Sequence, residues 1–328
     1  MSRTPPDDAI TITRLRDGGE PTGRMAEEVR DGLSQRPRRL PSKYFYDERG
    51  SELFDEITLL PEYYLTRAES EILEEVGEQI VRDVRPYELV ELGAGFSRKT
   101  RILLEAMTRV GEGGRLVCLD VAEEPLRQAG ERLLERFPEL TFEGVVGDFE
   151  QDLGRISRRG SRLVAFLGST FGNFEESQRL PFLRQVRRML HPGDGFLIGL
   201  DLVKDPQELE AAYNDAAGVT AAFNKNLLEV LNSELEGDFP LDAFEHVARY
   251  DEEQSRIEML LRATRDLDVH LAAIDHRDHL ERGEVIRTEL SCKFTRERVE
   301  DMFSSVDLRI TRWDTDLRER FALALAMP

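Results

Sequence analysis

The residues best suited to chemistry stand at the ends of short apolar runs. ELGAG, residues 91–95, places Gly93 and Gly95 at the end of YELV, where glycine lets the backbone turn tightly and approach a ligand closely. Asp120 closes the next run, RLVCLD, and a carboxylate there can accept both hydroxyls of a ribose. Asp148 and Phe149 in GDFE follow a third run. That carboxylate can accept from an adenine amine while the ring packs on the base. The competing reading is a pair of turn glycines with two solvated carboxylates. A dinucleotide fingerprint needs a third glycine at position 98 to seat a pyrophosphate, and Arg98 stands there, which argues against nicotinamide and hydride transfer. A ligand with ribose and adenine but no phosphate fits better, and S-adenosylmethionine is the cofactor these residue types predict.

Such a site needs a sheet to hold it. From Tyr87 onward YELVELGAG, RLVCLDV, TFEGVVGDFE, SRLVAFLGST and GDGFLIGLDLV read as strands, separated by amphipathic helices such as RKTRILLEAMTRV and SQRLPFLRQVRRML. This alternation predicts an α/β fold with a mostly parallel, doubly wound, Rossmann-like sheet. After Val203 the pattern changes. ELEAAYNDAAGVTAAFNKNLLEVLNSEL reads as two helices split near Gly218, and the segments from His246 to Phe294 read as long antiparallel strands. The helix TRERVEDMF and the hairpin-like pair DLRITRWDT and RFALALAM then return to the first sheet. The expected division is a cofactor domain of residues 68–202 plus 294–328 and a second, inserted α+β substrate-binding domain of residues 1–67 plus 203–293. The cleft between two such domains is the default site. Ahead of the core, TRAESEILEEVGEQIVRDV predicts a helix with Thr66 as its cap and Glu69 at the capping-box position. KYFYDERGSELFDEITLLPEYY, residues 43–64, gathers four of the chain's seven tyrosines, too many for a routine linker.

Composition narrows the partners. The 328 residues carry 65 acidic and 45 basic side chains, a formal charge of −20 that repels a polyanionic backbone, so nucleic acid is not expected. The substrate is then small, and any anionic group on it must be met by local donors. Cys118 and Cys292, the only cysteines, sit in apolar runs, are too few for a thiolate zinc site, and read as reduced structural residues. No apolar signal segment and no run approaching the roughly 18 residues of a membrane span is visible. A soluble, cytoplasmic, monomeric protein without a membrane partner is expected. His270, His276 and His279 with Asp275 and Asp278 invite a metal reading, but HxxH without a helix or a third ligand at fixed spacing is weak. DHRDH reads as a polar turn between two strands, and no metal is expected.

Several unusual motifs agree in order along the chain: LPSKYFYDERGSELFDEITLLPEYYLTRAE, ELGAGFSRKT, GSTFGNF, DLVKDPQELEAAYNDAAGVTAAFNKNLL and TELSCKF. Together they resemble the histidine-specific N-alpha-methyltransferases of ergothioneine biosynthesis, from about residue 35 to the end. The resemblance implies transfer of three methyl groups from S-adenosylmethionine to the α-amine of L-histidine, giving hercynine. It implies that Tyr46, Gly93, Lys99, Asp120, Asp148 and Phe149 contact the cofactor. Asn173 and Tyr213 would hold the substrate carboxylate, Glu289 and Ser291 would read the imidazole, and Tyr63 would lie by the amine. Gly168 would form part of the floor between the two ligands, and Met259 would line the substrate pocket. Tyr63, Asn173, Tyr213, Glu289 and Ser291 make up the implied catalytic set.

Each assignment has a plainer rival. Asn173 could cap a helix or turn, Tyr213 could be a half-buried packing residue within a helix, and Met259 could be core. The two-residue spacing of Glu289 and Ser291 puts both on one strand face, which is either a solvated face or a reader of an imidazole. Rival functions are the same fold acting on another amino acid or imidazole, a non-catalytic adenosyl-ligand binder, and a nicotinamide oxidoreductase.

Overall fold

The computed structural model describes residues 10–15, 21–93, 98–121, 123–149 and 151–328. The chain divides into two compact units, one of Met1–Asp17, Leu65–Leu202 and Phe294–Pro328, the other of Gly18–Tyr64 and Val203–Lys293.

The first unit is built on an eight-stranded sheet in the order Ile10–Arg14, Thr141–Val146, Arg115–Asp120, Glu88–Leu92, Arg162–Phe166, Gly195–Asp201, Phe321–Met327, Arg309–Thr315. All pairs are parallel except those of Phe321–Met327, which runs against both of its neighbours. The C-terminal hairpin therefore slots its last strand between its first strand and the parallel core. Glu88–Leu92, Arg162–Phe166 and Gly195–Asp201 are buried at every position, which is why they read as continuous apolar runs rather than alternating ones. Two details depart from the sequence reading. Ile10–Arg14, assigned there to the substrate domain, is an edge strand of this sheet, because its ITITR alternation pairs with Thr141–Val146. The helix Leu65–Val84 already includes Thr66, so Thr66 is not its cap, and Glu69 is fully buried rather than turned back to the helix start.

The second unit contains a four-stranded sheet in the order Arg38–Arg39, Val285–Cys292, Arg256–Ala263, Phe244–Asp251, and a separate hairpin of Leu267–Leu271 with His276–Leu280. The segment DHRDH is thus mostly strand and not a turn. Its charges are spent across the ladder and beyond it: His279 Nδ1 lies 2.8 Å from Asp268, and Asp278 takes two bonds from Arg38 at 2.5 and 2.9 Å. Among the described residues no group of three or more His, Cys, Asp or Glu could hold a metal ion, and no helix is long and apolar enough to cross a membrane. The aromatic stretch folds as a short 3-10 turn, Ser42–Phe45, followed by the helix Glu48–Leu59. Asp47 caps that helix by accepting from Gly50 N at 2.7 Å, and it also takes the Asn226 amide at 2.7 Å from the helix Val219–Glu234.

Candidate active site

In the first unit the sheet presents its candidate residues at strand ends. Gly93 leaves the strand Glu88–Leu92 with φ +72°, a conformation that costs a side chain but not glycine. The rest of the turn, residues 94–97 with Gly95, lies outside the described residues. Asp120 ends its strand half-exposed, and its carbonyl accepts from Gly147 N at 2.9 Å, which ties the second strand end to the third. Asp148 is buried, with its own backbone N–H fastened to the Asp152 carboxylate at 3.0 Å. Phe149 packs against Phe166, Phe174 and Phe182 at ring separations of 5.4, 5.9 and 6.4 Å. This makes the Phe149 ring one wall of an aromatic cluster, half-exposed and able to receive a flat base.

Lys99 stands in the first turn of the helix Arg98–Val110, and its ammonium lies 2.8 Å from the Glu69 carboxylate. The same carboxylate accepts the backbone N–H of Gly168 at 2.9 and 3.0 Å. Gly168 has φ +82°, and a Cβ there would come to 3.2 Å from Lys99 Nζ. Behind it, a Cβ on Gly199 would collide with Glu69 Oε1. Glu69 thus holds together two residues singled out in the sequence, Lys99 and Gly168. Its own role went unread because its partners are 30 and 99 residues away. Asn173 closes the 3-10 turn Thr170–Asn173, entered through Ser169 at φ +59°. Cys118 is a buried thiol whose pKa is pushed up by burial and then by Glu91, in keeping with an inert structural role.

This set of groups, two accepting carboxylates at strand ends, a donating ammonium and an open aromatic face, suits a ligand with hydroxyls, an aromatic amine and a carboxylate. It therefore fits S-adenosylmethionine.

In the second unit the strand Val285–Cys292 carries a bulge at Thr288, so that Glu289 pairs with Met259 and Ser291 with Ile257 on the neighbouring strand. Paired residues share a face, which sets Glu289 beside Met259 and keeps Glu289 and Ser291 on one side. Met259 is buried and Glu289 partly open. Tyr213 is not inside a helix but caps the C-terminus of Pro206–Ala212. Its hydroxyl lies 2.6 Å from Ser291 Oγ, and its ring meets that of Tyr63 edge-on at 6.4 Å. Tyr63 in turn stands edge-on to Phe54 at 6.2 Å, and Tyr46 to Phe54 at 5.6 Å. Tyr46 leaves about half its surface open, 49%. Burial of its phenol group, then Glu289 and Tyr213, push its pKa up, so the phenol stays a proton donor. Of the remaining aromatics in the stretch, Tyr44 bonds to Glu28 at 2.8 Å, Phe45 stacks on Phe223 at 4.5 Å, and Tyr64 accepts from Lys204 at 2.7 Å.

Two residues here were missed in the sequence. Lys293 is buried against Tyr213 and Ser291. His246 lies behind them: Asn224 Nδ2 donates to its Nδ1 at 2.8 Å, so its Nε2–H donates to the Tyr213 carbonyl at 2.8 Å. The Asn224 carbonyl accepts from Thr288 at 2.6 Å, which links the bulge to Tyr213 through one hydrogen-bonded chain. Burial holds the His246 pKa below the usual value, keeping the ring neutral as this chain requires.

A family profile described as histidine-specific methyltransferase, SAM-dependent, matches residues 25–328. The histidine N-alpha-methyltransferase of Mycolicibacterium smegmatis is 48% identical over 92% of this chain and 94% of that protein, and that of Mycobacterium tuberculosis is 45% identical over 94% and 97%. Ergothioneine biosynthesis protein 1 of Neurospora crassa is 32% identical over 84% of this chain and 32% of its own length. Among solved structures, an S-adenosylmethionine-dependent methyltransferase from Clostridium acetobutylicum aligns with a TM-score of 0.47 and 12% identity over 84% of this chain and 98% of that one.

Proposed function

The chain belongs to the family of S-adenosylmethionine-dependent, histidine-specific methyltransferases, and we propose that it carries its methylation of the L-histidine α-amine through three rounds to hercynine, in ergothioneine biosynthesis. When bound, the cofactor supplies an electrophilic methyl group on a sulfonium. Asp120 accepts the ribose hydroxyls, Asp148 the adenine amine beside Phe149, and Lys99 faces the carboxylate end, with Gly93 giving the backbone room. The resemblance assigns Tyr46 to the same ligand.

On the substrate, Glu289 accepts an imidazole N–H and Ser291 serves the second ring nitrogen, with Met259 as the apolar wall. The resemblance further assigns Tyr213 and Asn173 to the carboxylate, Gly168 to backbone contact and Tyr63 to the amine. Displacement at the methyl carbon needs a neutral amine in line with the carbon–sulfur bond, so alignment supplies most of the gain. An α-amine titrates not far above neutrality, and part of it is already unprotonated, so no strong base is needed. The observation that supports the residue assignment is the 2.6 Å approach of the Tyr213 and Ser291 hydroxyls, two polar groups side by side. Cys118 and Cys292, both buried and not joined in a disulfide, suit a reducing, cytoplasmic setting.

The test is incubation with labelled S-adenosylmethionine and a panel of free amino acids, following product mass. Histidine is expected to gain three methyl groups. If another amino acid is methylated and histidine is not, the substrate assignment is wrong.

A further inference from the structure

Thr288 is the residue that the bulge leaves out of the ladder between Arg287 and Glu289, so pairing with the neighbouring strand does not fix it. Its side chain does so instead. Thr288 is buried, and its Oγ1 lies 2.6 Å from Asn224 Oδ1 and 3.0 Å from the Met259 carbonyl oxygen. Asn224 is buried too, on the helix Val219–Glu234, and its Nδ2 lies 3.1 Å from the Leu260 carbonyl. A carbonyl can only accept, which fixes the way the amide points. The same nitrogen donates to His246 Nδ1 at 2.8 Å, and from the strand Phe244–Asp251 the His246 Nε2–H donates to the Tyr213 carbonyl at 2.8 Å.

The direction of each bond is dictated by its ends. Thr288 gives a proton to Asn224, Asn224 gives one to His246 and His246 gives one to Tyr213, so no link can reverse without breaking another. The Tyr213 segment is held from the helix side as well. Two residues on, the Asp215 carboxylate accepts from Val219 N at 3.0 Å and Thr220 N at 2.7 Å, at the start of the helix that carries Asn224. The two ends of this chain of bonds are the two places where the substrate is read. Glu289 directly follows Thr288, and Tyr213 carries the hydroxyl assigned to the carboxylate.

We propose that Thr288, Asn224 and His246 are positioning residues that hold Glu289 and Tyr213 at a set separation, so that the pocket selects an amino acid by the distance between its ring and its carboxylate. The inference rests on the reading of Glu289 and Tyr213 as substrate contacts, and the three residues act through those two. Homohistidine keeps the imidazole, the amine and the carboxylate but adds one methylene between the ring and the α-carbon. A pocket free to adapt would take it nearly as well as histidine. A pocket held at the histidine spacing loses one of the two contacts.

The experiment titrates histidine and homohistidine calorimetrically into the full-length protein with S-adenosylhomocysteine present, for wild type and for His246→Leu, which removes both bonds at similar size. Steady-state rates with histidine are measured alongside. Wild type is expected to prefer histidine by about 10–200-fold, the range one methylene is worth in a fitted pocket. H246L is expected to narrow that preference by at least about tenfold through weaker histidine binding, with KM rising more than kcat falls. A smaller folded fraction lowers the capacity for both ligands alike and leaves their ratio unmoved. Equal weakening of both ligands in H246L therefore marks a merely structural role and overturns the proposal, as does an unchanged preference or a wild type that takes both ligands alike. If H246L does not fold, Thr288→Val, which deletes the hydroxyl at constant shape, must narrow the preference, and failure to narrow it counts against the proposal. Glu289→Gln and Tyr213→Phe separate the two layers. If neither weakens histidine, the substrate-contact reading fails; if both do and the preference survives in H246L, only the positioning role fails.

Discussion

Lys99 Nζ and Glu69 Oε2 lie 2.8 Å apart, with the Glu69 side chain wholly out of solvent and that of Lys99 nearly so. The carboxylate also accepts the Gly168 N–H, so one buried anion fixes a helix-borne cation and a loop of left-handed backbone. Removing it leaves an uncompensated ammonium. Glu69→Ala should cost about 3–5 kcal/mol in urea unfolding and weaken S-adenosylhomocysteine binding, while Glu69→Gln should lose less stability. A Glu69→Ala protein of unchanged stability and cofactor affinity would show that the pair is incidental.

Gly168→Ala tests the other end of the same contact. The substitution forces a side chain into φ +82° and brings a Cβ to 3.2 Å from Lys99 Nζ. Roughly 1–2 kcal/mol of stability should be lost to backbone strain alone. Turnover should fall by more than that loss explains, because Lys99 must give way; assays at a temperature where the variant is fully folded decide the point.

The role proposed for Glu289 can be tested by separating recognition of the ring from recognition of the cofactor. Glu289→Gln should raise KM for histidine by about 10–100-fold, the loss of a hydrogen bond to a charged group, and leave S-adenosylhomocysteine affinity within about twofold. Equal loss of both affinities would recast Glu289 as a structural residue of the bulged strand.

His246 predicts a pH dependence with a definite sign. Its folded pKa is held below the ordinary 6.5 by burial, which outweighs the Tyr213 carbonyl and Asp215; Lys225 acts in the same direction as burial. Above about 6.5 both folded and unfolded chains carry it neutral, and it has no effect. As pH falls below 6.5 the unfolded chain takes the proton first, so stability drops until the folded pKa is reached. Wild type should therefore lose up to about 1.4 kcal/mol per pH unit more than His246→Gln in that window, read from urea midpoints at pH 5 to 7. Parallel profiles would mean that the ring titrates normally.

Legibility followed sequence separation. The parallel sheet could be read because each buried strand is a continuous apolar run, and the positions of Asp120 and Asp148 just at or past strand ends could be read because they close such runs. Glu69 looked like a capping-box residue because helix starts are local and its true partners are not. His246 gave no signal at all: its neighbours in the network lie 22 and 33 residues away, on other elements. DHRDH looked like a turn because its charges alternate without an apolar face, yet cross-strand and long-range ion pairs make it strand. The bulge at Thr288 is equally silent, since one inserted residue changes no local pattern.

The register Ile10↔Phe142 has a consequence for the order of assembly on the ribosome. The strand Ile10–Arg14 cannot dock until its partner is translated 132 residues later, 142 minus 10. At about 5–20 residues per second, ITITR waits on the order of ten seconds as an unpaired β-prone segment. The residues of the second unit made in that interval, up to Tyr64, are also incomplete, because Val203–Lys293 follows later still. Neither unit is a contiguous stretch of chain, so a fragment ending near Leu202 would hold part of both and the whole of neither.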